Sequence, residues 1–295
     1  MPQGQRAHGR EDRRTEGLQS RGKVTMWHGN TLGAKMDDMP YALVTGSSVG
    51  IGAAFARLLA RDGYDLVLVA RDETRLKSLA AELEVSLRIR SEIIVADLTT
   101  AEGLELVEHR LADTARPVEV LVNNAGFGLP TRFVDSTIEA EERQLDLLVR
   151  APMRLTHAAL PSMIARGRGY VINVGSVAAF IPANTYSAAK SWLTFFSESL
   201  QQQLQGTGVQ VSVVAPGYTH TEFHQRAGMD MSQVPEALWL DAADVAAQAW
   251  ADAKRGKAVS VPGLQYRTLT AAAQFLPRSL LRGAAARRPG PKLRG

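Results

Sequence analysis

Tyr41-Ala42-Leu43-Val44 is a short apolar run that passes directly into Thr45-Gly46-Ser47-Ser48-Val49-Gly50-Ile51-Gly52, then into a helical stretch from Ala53 to Arg61 closed by Gly63. No other feature restricts the fold as tightly. A brief, unbroken apolar run fits a strand buried on both faces, and such strands belong to parallel sheets covered by helices. The small residues of the turn let backbone come close to a charged ligand, and the helix behind it offers unpaired N–H groups at a positive dipole end. Strand, glycine turn and helix in this order distinguish a pyrophosphate-cradling dinucleotide turn from a chance cluster of glycines. The spacing is Gly-x-x-x-Gly-x-Gly rather than the commoner Gly-x-Gly-x-x-Gly. Gly46, Ser47, Ser48, Gly50, Ile51 and Gly52 are the candidate contacts.

Further strand-length apolar runs follow at 66–70, 92–96, 118–122, 170–174, 209–214 and 258–261, separated by helical stretches at 72–85, 101–113, 151–163, 184–205 and 242–254. This alternation predicts an α/β fold, a Rossmann-type doubly wound parallel sheet of about seven strands with helices on both faces. A chain of 295 residues suffices for it as one large domain. The absence of cysteine excludes disulfides, thiolate metal sites and cysteine nucleophiles. No apolar run approaches the ~18 residues of a membrane span and no secretory core is present, so the expectation is a cytoplasmic protein.

Net charge is +4, but from Ala253 to Gly295 there are ten Lys/Arg and no Asp/Glu, while residues 39–252 are net acidic. The pI of 9.5 is therefore no argument for nucleic acid as a partner, and none is expected. Residues 1–38, rich in Arg, Gly, Gln and Glu without apolar periodicity, are expected to be a disordered extension. The domain is expected to span 39–262, with a basic amphipathic arm over 263–295.

Chemistry-bearing residues lie at the strand ends. The second strand closes at Arg71-Asp72. In a doubly wound fold that tip meets the adenine ribose, where an acidic residue binds free hydroxyls and an arginine accepts a 2′-phosphate. Arg71 at the tip favours NADP(H) over NAD(H). Tyr186 and Lys190 lie four residues apart on a helical stretch, so a phenol stands beside an ammonium. A free tyrosine titrates near ~10, and the adjoining cation is expected to lower that value toward neutrality. Ser176, just after the run at 170–174, is placed to hydrogen-bond a substrate oxygen.

Thr45-Gly46-x-x-x-Gly50-x-Gly52, Asn123-Asn124-Ala125-Gly126, Ser176, Tyr186-x-x-x-Lys190 and Pro216-Gly217 occur in the order found in the short-chain dehydrogenase/reductase family. The chain resembles that family over roughly 40–262. The resemblance implies reversible hydride transfer between a nicotinamide and a small carbonyl or alcohol substrate. Tyr186 would be the general acid/base, Ser176 the polariser and Lys190 the holder of the nicotinamide ribose. Asp97 and Leu98 would lie at the adenine ring, while Asn123, Asn124, Ala125 and Gly126 would line the cleft and brace the sheet. Pro216, Gly217, Thr219 and Thr221 would border the nicotinamide amide and the pyrophosphate. A homodimer or homotetramer packed through the helices at 151–163 and 184–205 is also implied, with Trp192, Phe195 and Phe196 in core or interface.

Two departures qualify the resemblance. Leu148 stands where relatives usually carry an asparagine that helps hold a proton-relay water, so the relay must take another path or weaken. Ser176 and Tyr186 are ten residues apart, about three fewer than usual, which reshapes one wall of the substrate pocket. A catalytically weak NADP(H)-binding regulatory protein is the alternative.

The stretch 220–239, with Phe223, His224, Met229, Met231 and Trp239, reads as a lid beside the site, its apolar residues either suiting an apolar or lipid-like substrate or packing the loop on itself. His220 and His224 lack the carboxylate or cysteine partners of a metal site, so no metal is expected. In the arm, Leu264, Tyr266, Leu269, Ala273, Leu276 and Leu280 recur at roughly helical spacing among arginines, with Pro277 expected to kink the helix. Such a segment can rest peripherally on an anionic membrane surface or on a partner, or dock on its own domain. Beyond Ala284 disorder is expected.

Overall fold

The computed structural model describes residues 23–26 and 39–275. Eight strands form one sheet in the order β1-β4-β3-β2-β5-β6-β7-β8. They are β1 (Lys23–Met26), β2 (Tyr41–Thr45), β3 (Asp65–Ala70), β4 (Ser91–Val95), β5 (Val118–Asn123), β6 (Gly169–Val174), β7 (Val209–Val214) and β8 (Val259–Ser260). From β2 to β8 every pairing is parallel, giving the seven strands expected. The eighth corrects the sequence reading. Lys23–Met26, inside the extension expected to be disordered, pairs antiparallel with β4 at the sheet edge. The remainder of that extension and the residues beyond 275, including Pro277 and the stretch after Ala284, lie outside the described residues.

Parallel strands are linked by crossovers that cover both faces. These are α1 (Gly50–Arg61), α2 (Glu73–Leu87), α3 (Ala101–Ala112), α4 (Ile138–Leu145), α5 (Ala151–Arg166), α6 (Thr185–Gln203), α7 (Phe223–Arg226), α8 (Ala242–Lys254) and α9 (Leu264–Phe275). Alternate residues of β2 serve opposite cores, as the period of a strand requires. Ala42 and Val44 pack with Phe55 and Leu59 of α1, Leu76 of α2 and Trp250 of α8. Tyr41 and Leu43 pack with Leu104 of α3 and Leu155 of α5. Chain direction across the sheet reverses between β2 and β5, and the crevice beyond the carboxyl ends of these two strands is where a doubly wound sheet binds its ligand.

Between α4 and α5 the helix widens into a π-helical segment, Asp146–Arg150, that the sequence pattern does not announce. The N–H of Ala151 reaches back five residues to the Asp146 carbonyl, and Pro152 next to it has no N–H for the Leu148 carbonyl. Among the described residues no helix is long and apolar enough to cross a membrane.

Candidate active site

Polar side chains splice the glycine turn to the sheet. Thr45 Oγ1 accepts the N–H groups of Asn124 (2.9 Å) and Ala125 (3.1 Å) and lies within reach of the Val122 carbonyl (3.3 Å). Asn124 Nδ2 donates to the carbonyls of Thr45 (2.9 Å) and Gly46 (3.1 Å). Gly46 and Gly50 have φ of 65° and 57°, in the left-handed region that favours glycine. A Cβ on Gly52 would stand 2.3 Å from the Gly46 oxygen and 2.4 Å from Asn124 Nδ2. One on Gly50 would meet Thr221 Cγ2 at 2.9 Å. α1 begins behind this turn with no side-chain cap and no acidic residue in its first turn. Bare backbone at an uncapped helix N-terminus is what a pyrophosphate needs. The close approach of Gly46, Gly50 and Gly52 to their neighbours leaves bare backbone at this helix start, an arrangement that fits a dinucleotide pyrophosphate.

At the far end of the crevice Asp72 is occupied. Its carboxylate caps α2, accepting the Arg75 N–H at 3.0 Å. Arg71 projects into solvent, 70% exposed, with Nη1 3.8 Å from Asp97. Burial opposes ionisation of Asp97, but hydrogen bonds from Thr99 N (3.0 Å) and Oγ1 (2.8 Å), with Arg71 and Arg143 nearby, hold its pKa below the usual carboxylate value. Leu98 is buried beside it. An open cleft of about 610 Å³ runs along the outer side of the turn, between α1, α2 and Thr221; its lining does not include Ser176, Tyr186 or Lys190.

The reacting end is built on buried amides. Asn123 Nδ2 donates to Asn173 Oδ1 (2.9 Å) and Thr156 Oγ1 (3.2 Å), and Asn173 Nδ2 donates to Ser197 Oγ (2.9 Å). This chain ties β5, β6, α5 and α6 together beneath the site. Asn184 caps α6, accepting the Ser187 N–H at 3.0 Å, and the helix then presents Tyr186 and Lys190 one turn apart. The shortened connection from β6 is filled by a single tight 3₁₀ turn, Val177–Phe180. Ser176 caps that turn, its Oγ 3.1 Å from the Ala178 N–H, and lies near enough to the Tyr186 phenol to draw its pKa down. Three missing residues have not separated the two hydroxyls.

The electrostatics differ from the expectation. Burial pushes the Tyr186 pKa up to about 12, opposed only by Ser176. Burial likewise lowers Lys190 to about 8. Lys190 is 4% exposed, and its ammonium donates to the Val174 carbonyl at 2.6 Å, with Nζ 5.7 Å from the Tyr186 ring centroid. Burial dominates both groups, and Lys190 is not among the causes that shift Tyr186, so the phenol is not made acidic by the lysine as the spacing suggested. Leu148, 1% exposed in the π-helical segment, fills the space beside Gly126. A Cβ on that glycine would lie 2.9 Å from Leu148 Cδ2 and 3.9 Å from Lys190 Nζ. The position is sealed with hydrocarbon next to the ammonium.

The loop after β7 crosses the site as a lid. Phe223 stands 5.8 Å from the Tyr186 ring. A Cβ on Gly128 would lie 3.5–3.6 Å from Phe223, Ala227 and Met229, in ordinary van der Waals contact. His224 lies among Tyr218, Phe223 and Trp239, and burial lowers its pKa, so the ring is neutral at pH 7. Glu222 takes two hydrogen bonds from Arg75 Nη1, both 2.9 Å, fastening the lid to α2. Buried Thr219 bonds the Gly217 carbonyl (3.1 Å), and Val177 N–H bonds that of Pro216 (3.0 Å). His220 pairs with Glu236 at 3.0 Å and stacks on Trp239. Among the described residues no group of three His, Asp or Glu is placed to hold a metal.

A family model described as short chain dehydrogenase matches residues 40–232. The chain belongs to this family. It is therefore a nicotinamide-nucleotide-dependent oxidoreductase of CH–OH and C=O groups. This short-chain dehydrogenase is 37% identical over 212 residues to sulfoacetaldehyde reductase 2 of Chromohalobacter salexigens, spanning 70% of this chain and 83% of that protein. Among solved structures it is similar to a short-chain dehydrogenase from Sphingobium yanoikuyae in complex with NADPH. That match has a TM-score of 0.74 and 37% identity, covering 80% of this chain and 94% of the other. It is also similar to a bulky-bulky ketone specific alcohol dehydrogenase from Comamonas testosteroni, with a TM-score of 0.70 and 33% identity, covering 80% and 93%.

The sequence motifs include Thr45 and Asn124, but not what they do: their side chains bind the glycine turn to β5 and the loop beyond it, each with its own hydrogen-bond set.

Proposed function

We propose that the protein is an NADPH-dependent reductase of bulky, apolar ketones or aldehydes, able to run in the reverse direction on the corresponding secondary alcohols. The observation that carries this reading is Tyr186 and Lys190 one helical turn apart on α6, with Ser176 close enough to the phenol to draw its pKa down and the ring of Phe223 over it. The preference for NADPH is supported by Asp72, whose carboxylate is committed to capping α2, and by Arg71, whose guanidinium is exposed at the strand tip. The NADPH complex of the Sphingobium yanoikuyae relative agrees with it.

Bound at the glycine turn, the dinucleotide supplies the hydride that reaches the carbonyl carbon. The residues of the chain handle the oxygen. Ser176 donates a hydrogen bond to it, and this bond strengthens as negative charge develops. Tyr186 transfers its proton to the same atom. With its pKa raised to about 12, the phenol is fully protonated at neutral pH, the form that a reduction requires. Lys190, charged below about pH 8, stabilises the phenolate left behind.

For substrate class, the wall facing Tyr186 is apolar, with Phe223, Ala227 and Met229 converging on Gly128 and a neutral His224 behind them. That suits the uncharged substrate class named for the Comamonas testosteroni relative better than the small anionic one of sulfoacetaldehyde reductase 2. NADPH consumption measured with aryl alkyl ketones, cyclic ketones and sulfoacetaldehyde tests the assignment. Turnover of the bulky ketones is expected, and activity confined to the sulfonate would overturn the substrate class. Assembly as a homodimer or homotetramer is also part of this reading. It is supported by Met153 on α5 (42% exposed) and Phe195 on α6 (71% exposed), and sedimentation of Phe195→Asp checks it.

A further inference from the structure

The lid leaves the domain at Tyr218 and returns at Leu238 to Leu240, and a single phenol from beyond the expected domain boundary holds both ends. Tyr266, in the first turn of α9, is 3% exposed. Its hydroxyl accepts the Tyr218 N–H at 3.0 Å and donates to the Leu238 carbonyl at 2.6 Å. Its ring lies so close over Gly217 that a Cβ there would stand 1.9 Å from a ring carbon. Alongside run a bridge between Thr219 and Leu240 and the backbone bonds His220 N–H to Leu240 O (3.0 Å) and Leu240 N–H to Tyr218 O (2.8 Å). From this crossing the lid extends to Phe223, 5.8 Å from Tyr186. α9 also packs against the turn Val177–Phe180 that Ser176 caps.

In the described part of the arm, Leu264 and Leu269 of the apolar spacing do not dock on the domain; Tyr266 does. Leu264 and Leu269 are 73% and 45% exposed, whereas Tyr266 and Thr270, four residues apart, are buried. The buried face is chosen by one hydroxyl with two partners and by the bare backbone of Gly217.

We propose that Tyr266 is a positioning residue for the reduction: by tying the two ends of the lid to each other it holds Phe223 over Tyr186, which makes the C-terminal helix part of the substrate site. The proposal rests on the carbonyl-reductase reading above. A hydroxyl can accept and donate at once, so it fixes the separation of the lid ends. Phenylalanine keeps the ring over Gly217 and removes both bonds. If α9 only added buried area, losing the hydroxyl would lower stability without a selective effect on substrate binding or lid exchange.

The test is Tyr266→Phe in the full-length protein, with three readouts. These are kcat and KM for a bulky ketone at saturating NADPH, the Kd for NADPH, and amide hydrogen exchange of 217–240 without substrate. Two lost hydrogen bonds at the hinge predict a rise in KM of about tenfold, with NADPH affinity within about twofold. Exchange should quicken across 217–240 and stay unchanged across 41–70. Tyr266→Ala should exaggerate each effect; should it fail to fold, the phenylalanine variant decides alone. Unchanged exchange in 217–240, or an unchanged KM, overturns the proposal. Exchange needs no turnover, so a failed clasp is distinguishable from a failed functional reading, which would show as no NADPH oxidation by the wild-type protein.

Discussion

Substituting Gly52 by alanine tests whether the cradle is made by close backbone approach. The new Cβ would lie 2.3 Å from the Gly46 oxygen, 2.8 Å from its carbonyl carbon and 2.4 Å from Asn124 Nδ2. Favourable heavy-atom separations are ~3.5 Å or more, so roughly 1 Å must open. Neither neighbour is a free side-chain end, since one is backbone and the other holds two hydrogen bonds. Overpacking costs about 1–3 kcal/mol, and loosening the Asn124 amide about 1 kcal/mol per bond. Alanine returns about 1 kcal/mol through helix propensity. The net loss is about 2–4 kcal/mol, a fall in Tm of roughly 5–15 °C for a domain of this size. Gly63→Ala is the control: its φ is 89° but nothing lies within 4 Å, so it should cost only about 1 kcal/mol. Calorimetry and NADPH fluorescence titration read both variants. Binding should weaken more than tenfold in Gly52→Ala and hold in Gly63→Ala, given that only the former moves the cradle. A Gly52→Ala protein as stable as the control, with unaltered NADPH affinity, would refute the reasoning.

Arg71→Ala should raise the Kd for NADPH about 10- to 100-fold, the worth of charge-assisted bonds to a phosphate, and leave that for NADH nearly unchanged. Isothermal titration with both nucleotides checks it, and equal losses would remove Arg71 from phosphate recognition. The pH dependence follows from two values, about 8 for Lys190 and about 12 for Tyr186. Ketone reduction should stay level up to about pH 8 and decline above it as Lys190 loses its proton, while alcohol oxidation rises with pH because the phenol must first deprotonate. A reductive rate still climbing through pH 9, read from stopped-flow profiles, would contradict this assignment. The same lysine makes a stability prediction with its sign fixed. Its folded value lies below the unfolded one, so the cost of burying the cation is fully present below about pH 8 and is relieved as pH rises toward about 10.5. Urea unfolding at pH 7 and 10 measures it in Lys190→Met against wild type, where the variant should lose that rise.

The doubly wound sheet was legible because each strand is a compact apolar run and each crossover carries helical spacing. β7 over Val209–Val214 and α8 over Ala242–Lys254 lie where the sequence placed them. β1 was missed because Lys-Val-Thr-Met is short, set in charged sequence, and pairs only at an edge. Tyr186, Lys190 and Ser176 were recognisable from spacing, yet their electrostatics were not, because desolvation depends on what packs around them. Leu148 illustrates the same limit. Its identity was read from the chain, but its contact with Gly126 and the widened helix around it follow from tertiary packing. Tyr266 stood in an apolar periodicity whose other members, Leu264 and Leu269, point away; periodicity cannot register a hydroxyl that bridges two distant loop ends.

The central claim is that the phenolic proton of Tyr186 is the one delivered to the substrate oxygen. Tyr186→Phe keeps the ring beside Phe223 and removes the hydroxyl that carries that proton. Single-turnover NADPH oxidation with a ketone the wild type accepts, combined with NADPH titration, isolates the step. The prediction is a rate lower by about 10³-fold or more with Kd within about threefold, consistent with loss of a general acid. A variant that reduces the ketone at the wild-type rate would contradict the mechanism outright.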